Sequence, residues 1–450
     1  MRLDKNSGFS YNTVVLTNRE RGFELLSKIA DFLALKKSMA ALLLMVVFVG
    51  MGEKLAERFL PKYIETLGGG ALAIGLLNGL DNLLSALYSL PGGYLSDLIG
   101  FKKALVVFNL FAMTGYFIVI LFPSWQAAVI GSIFFISWDA LALPATMSLV
   151  SKVLPDKKRT MGVTMHSLVR RLPMALGPII GGWLIGSYGI RDGIRYSFIF
   201  AAALAVISLI MQQLLMEEDE GAKDKKDIGA PWRELFSPQL KILLISDILI
   251  RFCEQIPYAF VVLWCLGDKN SMIAPKISAF DFGILTAVEM TAAILIYIPV
   301  AHFADRGSKK PFVAATFVFF TLFPPALYYS QTFTALVFAF ILRGFKEFGE
   351  PTRKAMILDL VPEGHRAYTY GVYYLIRDVI VSLAAFGGAF LWRSSPALNL
   401  FTAFAFGATG TIFFMIAAKE ESASDKLKKP FMKLNKKRSR LKFIIRKASF

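Results

Sequence analysis

Apolar residues in this chain gather into long, nearly continuous runs rather than into one face of a repeating pattern. The runs have the length of about 20 residues that a helix needs to cross a bilayer. Read in order, they predict twelve spans: 38–66, 72–95, 104–122, 126–153, 160–188 and 194–215, then 239–266, 278–303, 311–329, 333–360, 367–392 and 397–418. Residues 1–37 form a polar, basic lead. Within it Phe23, Leu26, Ile29, Ala30 and Leu33 recur at helical spacing, as in a helix lying on a membrane surface or one packed on the base of a bundle. Residues 216–238 contain EEDEGAKDKKDIGAPWRE, which has no apolar period and reads as a linker. Residues 419–450 are a basic tail. The expected fold class is therefore an all-α membrane protein, with 38–215 and 239–418 as two six-helix bundles.

Composition agrees with that reading. Hydrophobic residues make up 55% of the chain and charged residues 18%, against about 25% charge in a soluble protein. The net charge of +17 could indicate nucleic acid in a soluble chain. Here the basic residues collect in alternate loops: Lys102 and Lys103, Lys157, Lys158 and Arg159, Arg306, Lys309 and Lys310, and His365 with Arg366. The opposite loops are poorer, with Arg191, Arg195, Lys269, Lys276 and Arg393 as exceptions. The positive-inside rule then puts both termini in the cytoplasm of an inner-membrane protein, and no nucleic-acid partner is expected. The tail interleaves its basic residues with Phe431, Leu434, Leu441, Phe443, Ile444 and Ile445, which suits either anionic lipid, at about 1 kcal/mol per basic residue near the surface, or a solvated segment. The first apolar run follows the basic lead, so no signal peptide is expected. Cys253 and Cys265 lie twelve residues apart in one span, about 18 Å on a helix and beyond disulfide reach.

The two bundles are copies. GGYLSDLIGFKKAL at 92–105 returns in degraded form as PVAHFADRGSKKPFV at 299–313, with Asp305 for Asp97 and Lys309 and Lys310 for the lysine pair. Asp305 and Asp97 are 208 residues apart, and Glu289 and Asp81 share that offset. Further on the offset is 207, relating Pro351 to Pro144, Pro362 to Pro155, Glu363 to Asp156, Arg366 to Arg159, Arg377 to Arg170 and Gly388 to Gly181. Both copies of the turn face the same side, so the repeat is parallel. Membrane repeats of this kind place a substrate site at their interface near the bilayer midplane.

The first turn closely resembles the G-x-L-x-D-x-x-G-[RK]-[RK]-x-x-[LI] loop of the major facilitator superfamily. Gly93, Leu95, Asp97, Gly100, Lys102 and Leu105 stand in it, with Lys103 beside them and Phe101 at the first basic position. In the second copy Ala301 and Ser308 replace the two glycines. The resemblance covers about 38–418 and implies a twelve-helix secondary transporter built from two pseudosymmetric bundles. It also implies that Asp97 holds a cytoplasmic gate shut, with Gly93, Gly100, Lys102, Lys103, Asp305, Lys309 and Lys310 in the same gate elements. LGPIIGG at 176–182 resembles the glycine-proline element of the superfamily's antiporters through Gly177, Pro178, Gly181 and Gly182. Pro173 and Thr164 occupy two positions where glycines are expected upstream. Small residues at this spacing also serve close helix packing in any membrane protein.

Charges inside the spans are costly, about 2.5–3.5 kcal/mol each at a helix centre, and so mark partners or water. The resemblance implies that spans 1, 4, 7 and 10 line a substrate and proton cavity. That lining would hold Glu53, Glu57 and Arg58, then Asp139, then Asp247, Arg251 and Glu254, then Lys346, Glu347, Glu350 and Arg353. Spacing puts Glu53 with Glu57, Asp247 with Arg251 and Glu254, and Lys346 with Glu350, each set on one helix face. Internal salt bridges are the alternative for each opposite-charge pair. The same fold implies two interdomain pairs, Asp81–Arg377 and Glu289–Arg170. His166, in span 5, suits a hydrogen-bonded packing role or a proton relay. The chain has no G-x-x-x-x-G-K-[ST] loop, no H-E-x-x-H and no cysteine cluster, so neither ATP-driven pumping, nor a metal, nor another cofactor is expected. The expected function is alternating-access transport of a small organic solute by a monomer, as proton-coupled efflux. The alternatives are uptake of a sugar or organic anion by symport or facilitation, and a non-transporting receptor or scaffold.

Overall fold

The structure, a computed structural model, describes residues 37–136, 138–143, 146, 166, 169–216, 236–267, 273, 276–304, 308–360 and 366–419. The lead helix at 21–37, except its last residue, lies outside the described residues. So do nearly all of the linker, the tail beyond 419, Asp305, His365 and the basic cluster at 157–159. The described residues are helical throughout their length apart from short turns. Ten of these helices are long and apolar enough to cross a membrane. One of the ten, Arg171–Leu215, joins the described part of span 5 to span 6, and span 10 is made of shorter pieces, which accounts for the twelve spans.

Contacts divide the chain into two units, Met1–Lys226 with Ser278–Ala287, and Asp227–Ile277 with Val288–Phe450. The first unit begins with α1 (Lys37–Ala56), a 3₁₀ turn (Glu57–Phe59) and α2 (Leu60–Thr66). The break in this span has a local cause. Pro61 has no N–H to offer the Glu57 carbonyl four residues back, and its ring crowds that oxygen. Next come α3 (Ala71–Ile99), α4 (Phe101–Leu121) and α5 (Trp125–Phe135). Gly100 alone separates α3 from α4, at φ +83°, a backbone setting that other residues adopt only with strain. The sixth helix, α6 (Arg171–Leu215), contains both span 5 and span 6, turned at Gly189 with φ +78° and ψ 168°. The loop expected between those spans is thus a single residue.

The second unit holds α7 (Pro238–Tyr258), α8 (Val261–Leu266), most of α9 (Ala279–Ala304), α10 (Lys310–Tyr329), α11 (Phe333–Gly344), α12 (Glu350–Asp359), α13 (Arg366–Ser394) and α14 (Pro396–Ala417). Span 7 breaks between α7 and α8, just after Pro257. Span 10 breaks at a 3₁₀ turn, Phe345–Glu347, and resumes at α12 with Pro351 in its first turn. Spans 1, 7 and 10 therefore each lose their α-helical ladder part-way along.

Details of the internal repeat are visible in three dimensions. Ser124 accepts from Ala127 N at 3.2 Å and caps α5, while Thr332 accepts from Ala335 N at 3.2 Å and caps α11. These caps are 208 residues apart, the offset of the turn motif. The core of the first unit includes the ring cluster Tyr116, Phe135 and Phe198, with centroids 5.2–5.8 Å apart. Phe317 and Phe414 meet edge-on at 5.0 Å in the core of the second.

Candidate functional site

Among the described residues, the charged side chains of the spans assemble into one cluster in the first unit and two in the second. In the first, α1 presents Glu53 and Lys54 just before its break, and Glu57 opens the 3₁₀ turn. Lys54 Nζ lies 2.9 Å from Glu53 Oε1 and also holds Glu57 Oε2. Glu53 is 3% exposed, and its Oε2 has no hydrogen-bond partner among the described residues. Arg58 follows in the 3₁₀ turn. Asp81 on α3 is half-buried, within electrostatic reach of Glu57, Lys54, Arg58 and Asp139. Asp139 Oδ2 accepts from Arg170 Nη2 at 2.7 Å, and buried His166 sits beside that pair.

The glycines of span 5 set the depth of this cluster. A Cβ on Gly177 would stand 2.8 Å from Lys54 Cβ, and one on Gly181 would overlap the Leu55 carbonyl oxygen. Bare backbone at both positions lets α6 lie directly against the part of α1 that carries Glu53 and Lys54. Gly182 likewise faces the Ala279 carbonyl, and Gly283 on α9 faces the Pro178 carbonyl. In this geometry the glycine-proline element is a packing surface.

The first cluster of the second unit lies at the breaks of spans 7 and 10. Arg251 Nη1 holds Glu254 Oε2. Lys346 Nζ bridges Glu254 Oε1 at 3.0 Å and Glu289 Oε1 at 3.1 Å, and Arg343 Nε reaches the same Glu289 oxygen at 3.4 Å. The Arg343 guanidinium is buried among rings, 4.9 Å from Phe323, 5.6 Å from Tyr258 and 5.7 Å from Phe340. A small cavity opens here, lined by Cys253, Glu254, Val261, Phe319, Phe320, Phe323, Arg343 and Lys346. Glu347 lies in the 3₁₀ turn beside Lys346.

The second cluster ties α7, α12 and α13 together. Asp247 Oδ2 accepts from Arg353 Nη1, from Tyr373 Oη at 3.1 Å and from Arg377 Nη1 at 3.3 Å. Arg353 also makes a forked pair with Glu350, both at 2.8 Å from Nη2, and Arg377 Nε donates to Asp378 at 2.7 Å. Tyr374 lies under the Arg377 guanidinium at 4.2 Å.

The clusters depart from several of the expected groupings. Lys346 and Glu350, expected on one face, belong to different clusters because the 3₁₀ turn and Pro351 rotate the chain between them. Asp247 likewise parts from Arg251 and Glu254, drawn to two arginines on other helices. Of the residues in the two expected interdomain pairs, Arg170, Glu289 and Arg377 have described partners inside their own unit: Asp139 for Arg170, Arg343 and Lys346 for Glu289, Asp247 and Asp378 for Arg377. Lys54, Arg343, Asp378 and Tyr373 were missed. Lys54 was detectable, being three residues before Glu57 on a helix, and Arg343 stands three before Lys346.

In the turns, Gly93 and Asp97 fall in the last two turns of α3. Lys102 reaches the end of α6, with Nζ 2.8 Å from the Met216 carbonyl and 3.2 Å from that of Gln213, while Lys103 is exposed. Lys310 reaches the Met415 carbonyl at 2.9 Å, and Lys309 pairs with Asp359 at 2.7 Å.

The sequence profile described as Major Facilitator Superfamily matches residues 42–271 and again 243–450, once for each half. The chain is 23% identical over 361 residues to the uncharacterized MFS-type transporter MJ1317 of Methanocaldococcus jannaschii, covering 78% of this chain and 87% of that one. It is 26% identical over 291 residues to the multidrug resistance protein MdtG of Enterobacter lignolyticus, covering 61% and 66%. Its fold superposes on the crystal structure of the nucleoside transporter NupG with a TM-score of 0.70 at 16% identity, over 85% of this chain and all of that one.

Proposed function

This chain belongs to the Major Facilitator Superfamily as a multi-pass membrane secondary transporter of small molecules, and on that premise we propose that it exports an organic compound in exchange for protons. The observation that carries this reading is Glu53. It is a buried carboxylate with one oxygen on Lys54 and the other without a hydrogen-bond partner among the described residues. A proton on Oε2 would neutralise this buried carboxylate, and release of that proton would leave Glu53 and Glu57 as two charges held by Lys54. The helix breaks within one turn of this group, and discontinuous helices are where membrane carriers place ion and substrate sites. The likeness to a multidrug resistance protein supports efflux as the direction.

In the proposed cycle the acids Glu53, Glu57, Asp81 and Asp139 hold the exchanged protons, with Arg58 and Arg170 as counter-charges. The aromatic and cationic cavity at Lys346 and Arg343 takes part in holding the solute. Asp97 and Asp305 act in the gate turns, both termini face the cytoplasm, and the membrane is the inner one. Uptake of an organic anion is the second reading, favoured by the convergence of Arg251, Arg343 and Lys346 in the second unit.

Proteoliposomes loaded at acid pH and offered a panel of fluoroquinolones, lipophilic cations and organic acids separate the two. Accumulation of a compound driven by acid inside supports exchange. Accumulation driven only by acid outside refutes it in favour of symport, and equilibration indifferent to the gradient refutes coupling.

A further inference from the structure

We infer that Lys102 and Lys310 are positioning residues for transport: each fastens the C-terminal end of the last helix of its bundle to the turn that carries the gate motif. The two lysines occupy the same place in the repeat, 310 − 102 = 208. Lys102 donates to the carbonyls of Gln213, in the last turn of α6, and of Met216, which caps it, at 3.2 and 2.8 Å. Lys310 donates to the Met415 carbonyl, in the last turn of α14, at 2.9 Å. The final carbonyls of a helix have no partner within it and carry the negative end of its dipole, so an ammonium there satisfies both needs.

The first of these junctions is reciprocal. Gln212 Nε2 donates back to the Lys102 carbonyl at 2.7 Å, and its Oε1 faces Asn109 Nδ2 at 3.3 Å. Asn109 Oδ1 in turn accepts from Trp138 Nε1 at 2.9 Å. A buried polar chain thus runs from Trp138 on span 4 through α4 to the end of α6. The second junction has the same plan in apolar form. Phe317 stands 208 after Asn109, and Phe414 stands 202 after Gln212, as Met415 does after Gln213. The amide pair of one unit is the ring pair of the other.

The carbonyls engaged lie at the last turn and C-cap of α6, just before the interbundle linker, and in the last turn of α14, shortly before the basic tail. The start of α4 and the end of α6 therefore travel as one body, as do the start of α10 and the end of α14. Lys103, which is exposed, has no part in this junction. The lysine pair of the motif is accordingly a division of labour rather than two equivalent cations.

Hydrogen–deuterium exchange on the full chain in nanodiscs tests the assignment without any substrate, so its outcome is independent of the exporter reading. Lys102→Met is expected to speed amide exchange several-fold in 210–216 and to leave 412–418 alone, and Lys310→Met to do the reverse. Lys102→Arg should restore protection, and Lys103→Met should leave 210–216 at the wild-type rate. Should Lys102→Met not yield folded protein, Lys102→Gln, a donor without the charge, replaces it in the comparison. Unchanged exchange in 210–216 for the folded Lys102 variant overturns the proposal. An equal rise in Lys103→Met does so as well, because it would mean that any lost positive charge loosens the region.

Discussion

Arg377 Nη1 lies 3.3 Å from Asp247 Oδ2, an oxygen that also accepts from Arg353 and from Tyr373. One buried carboxylate oxygen thus joins α7, α12 and α13. Removing one partner of a buried ion pair costs about 3–5 kcal/mol, because the remaining charge stays desolvated. Asp247→Ala takes the shared acceptor away from two buried arginines, leaving Arg353 with Glu350 alone and Arg377 with Asp378 alone. It should lower the unfolding midpoint of the detergent-solubilised protein by many degrees, read by intrinsic fluorescence on heating. Asp378→Ala should cost much less, since Arg377 keeps Asp247. Equal midpoints for the two variants would contradict the central place given to Asp247.

Gly181 faces the Leu55 carbonyl so closely that a methyl group overlaps it, whereas Gly186 on the same helix has nothing within 4 Å of its would-be Cβ. Overpacking a tight contact costs about 1–3 kcal/mol, and relieving glycine of its freedom in an open helical position gains up to about 1 kcal/mol. Gly181→Ala should therefore destabilise the protein and Gly186→Ala should not. The order of their thermal midpoints is the measurement, and a reversed order would sink the packing account of the glycine-proline element.

Glu53→Gln keeps size and hydrogen bonding but cannot exchange a proton. Accumulation driven by a pH gradient should fall to the level of empty liposomes, while counterflow of labelled against unlabelled solute at equal pH should persist. Full gradient-driven accumulation in this variant would remove Glu53 from the coupling role.

On the proposed gate role, Asp97→Asn should impair transport while leaving membrane expression near wild type. The corresponding change Asp305→Asn should do less, since the second copy has lost both motif glycines. Expression is read by fluorescence of a fused reporter and transport by initial rate. Wild-type rates in Asp97→Asn would refute the gate role.

Much of the fold could be read from residue order. The spans, the duplication and the turn motif are local or periodic properties, and the matched caps at Ser124 and Thr332 repeat at the offset that relates Asp97 to Asp305. Proline positions already held the helix breaks: Pro61, Pro257 and Pro351 each stand beside one. Their effect on side-chain grouping was not legible. Treating span 10 as one straight helix put Lys346 and Glu350 together, and the 3₁₀ turn at Phe345–Glu347 sends them to different partners.

What the sequence by itself determined is the helical character of the apolar spans, the repeat offset and the identities of the intramembrane charges, since bilayer length and backbone hydrogen bonding leave a long apolar segment little choice but a helix. Only the tertiary structure decided which charge meets which. An ion pair depends on helix rotation and depth, and these follow from contacts such as Gly181 on Leu55 that no spacing rule contains. It also separated Lys102 from Lys103. Adjacent residues on a helix point about 100° apart, so one lysine of the pair reaches the end of α6 while its neighbour faces outward.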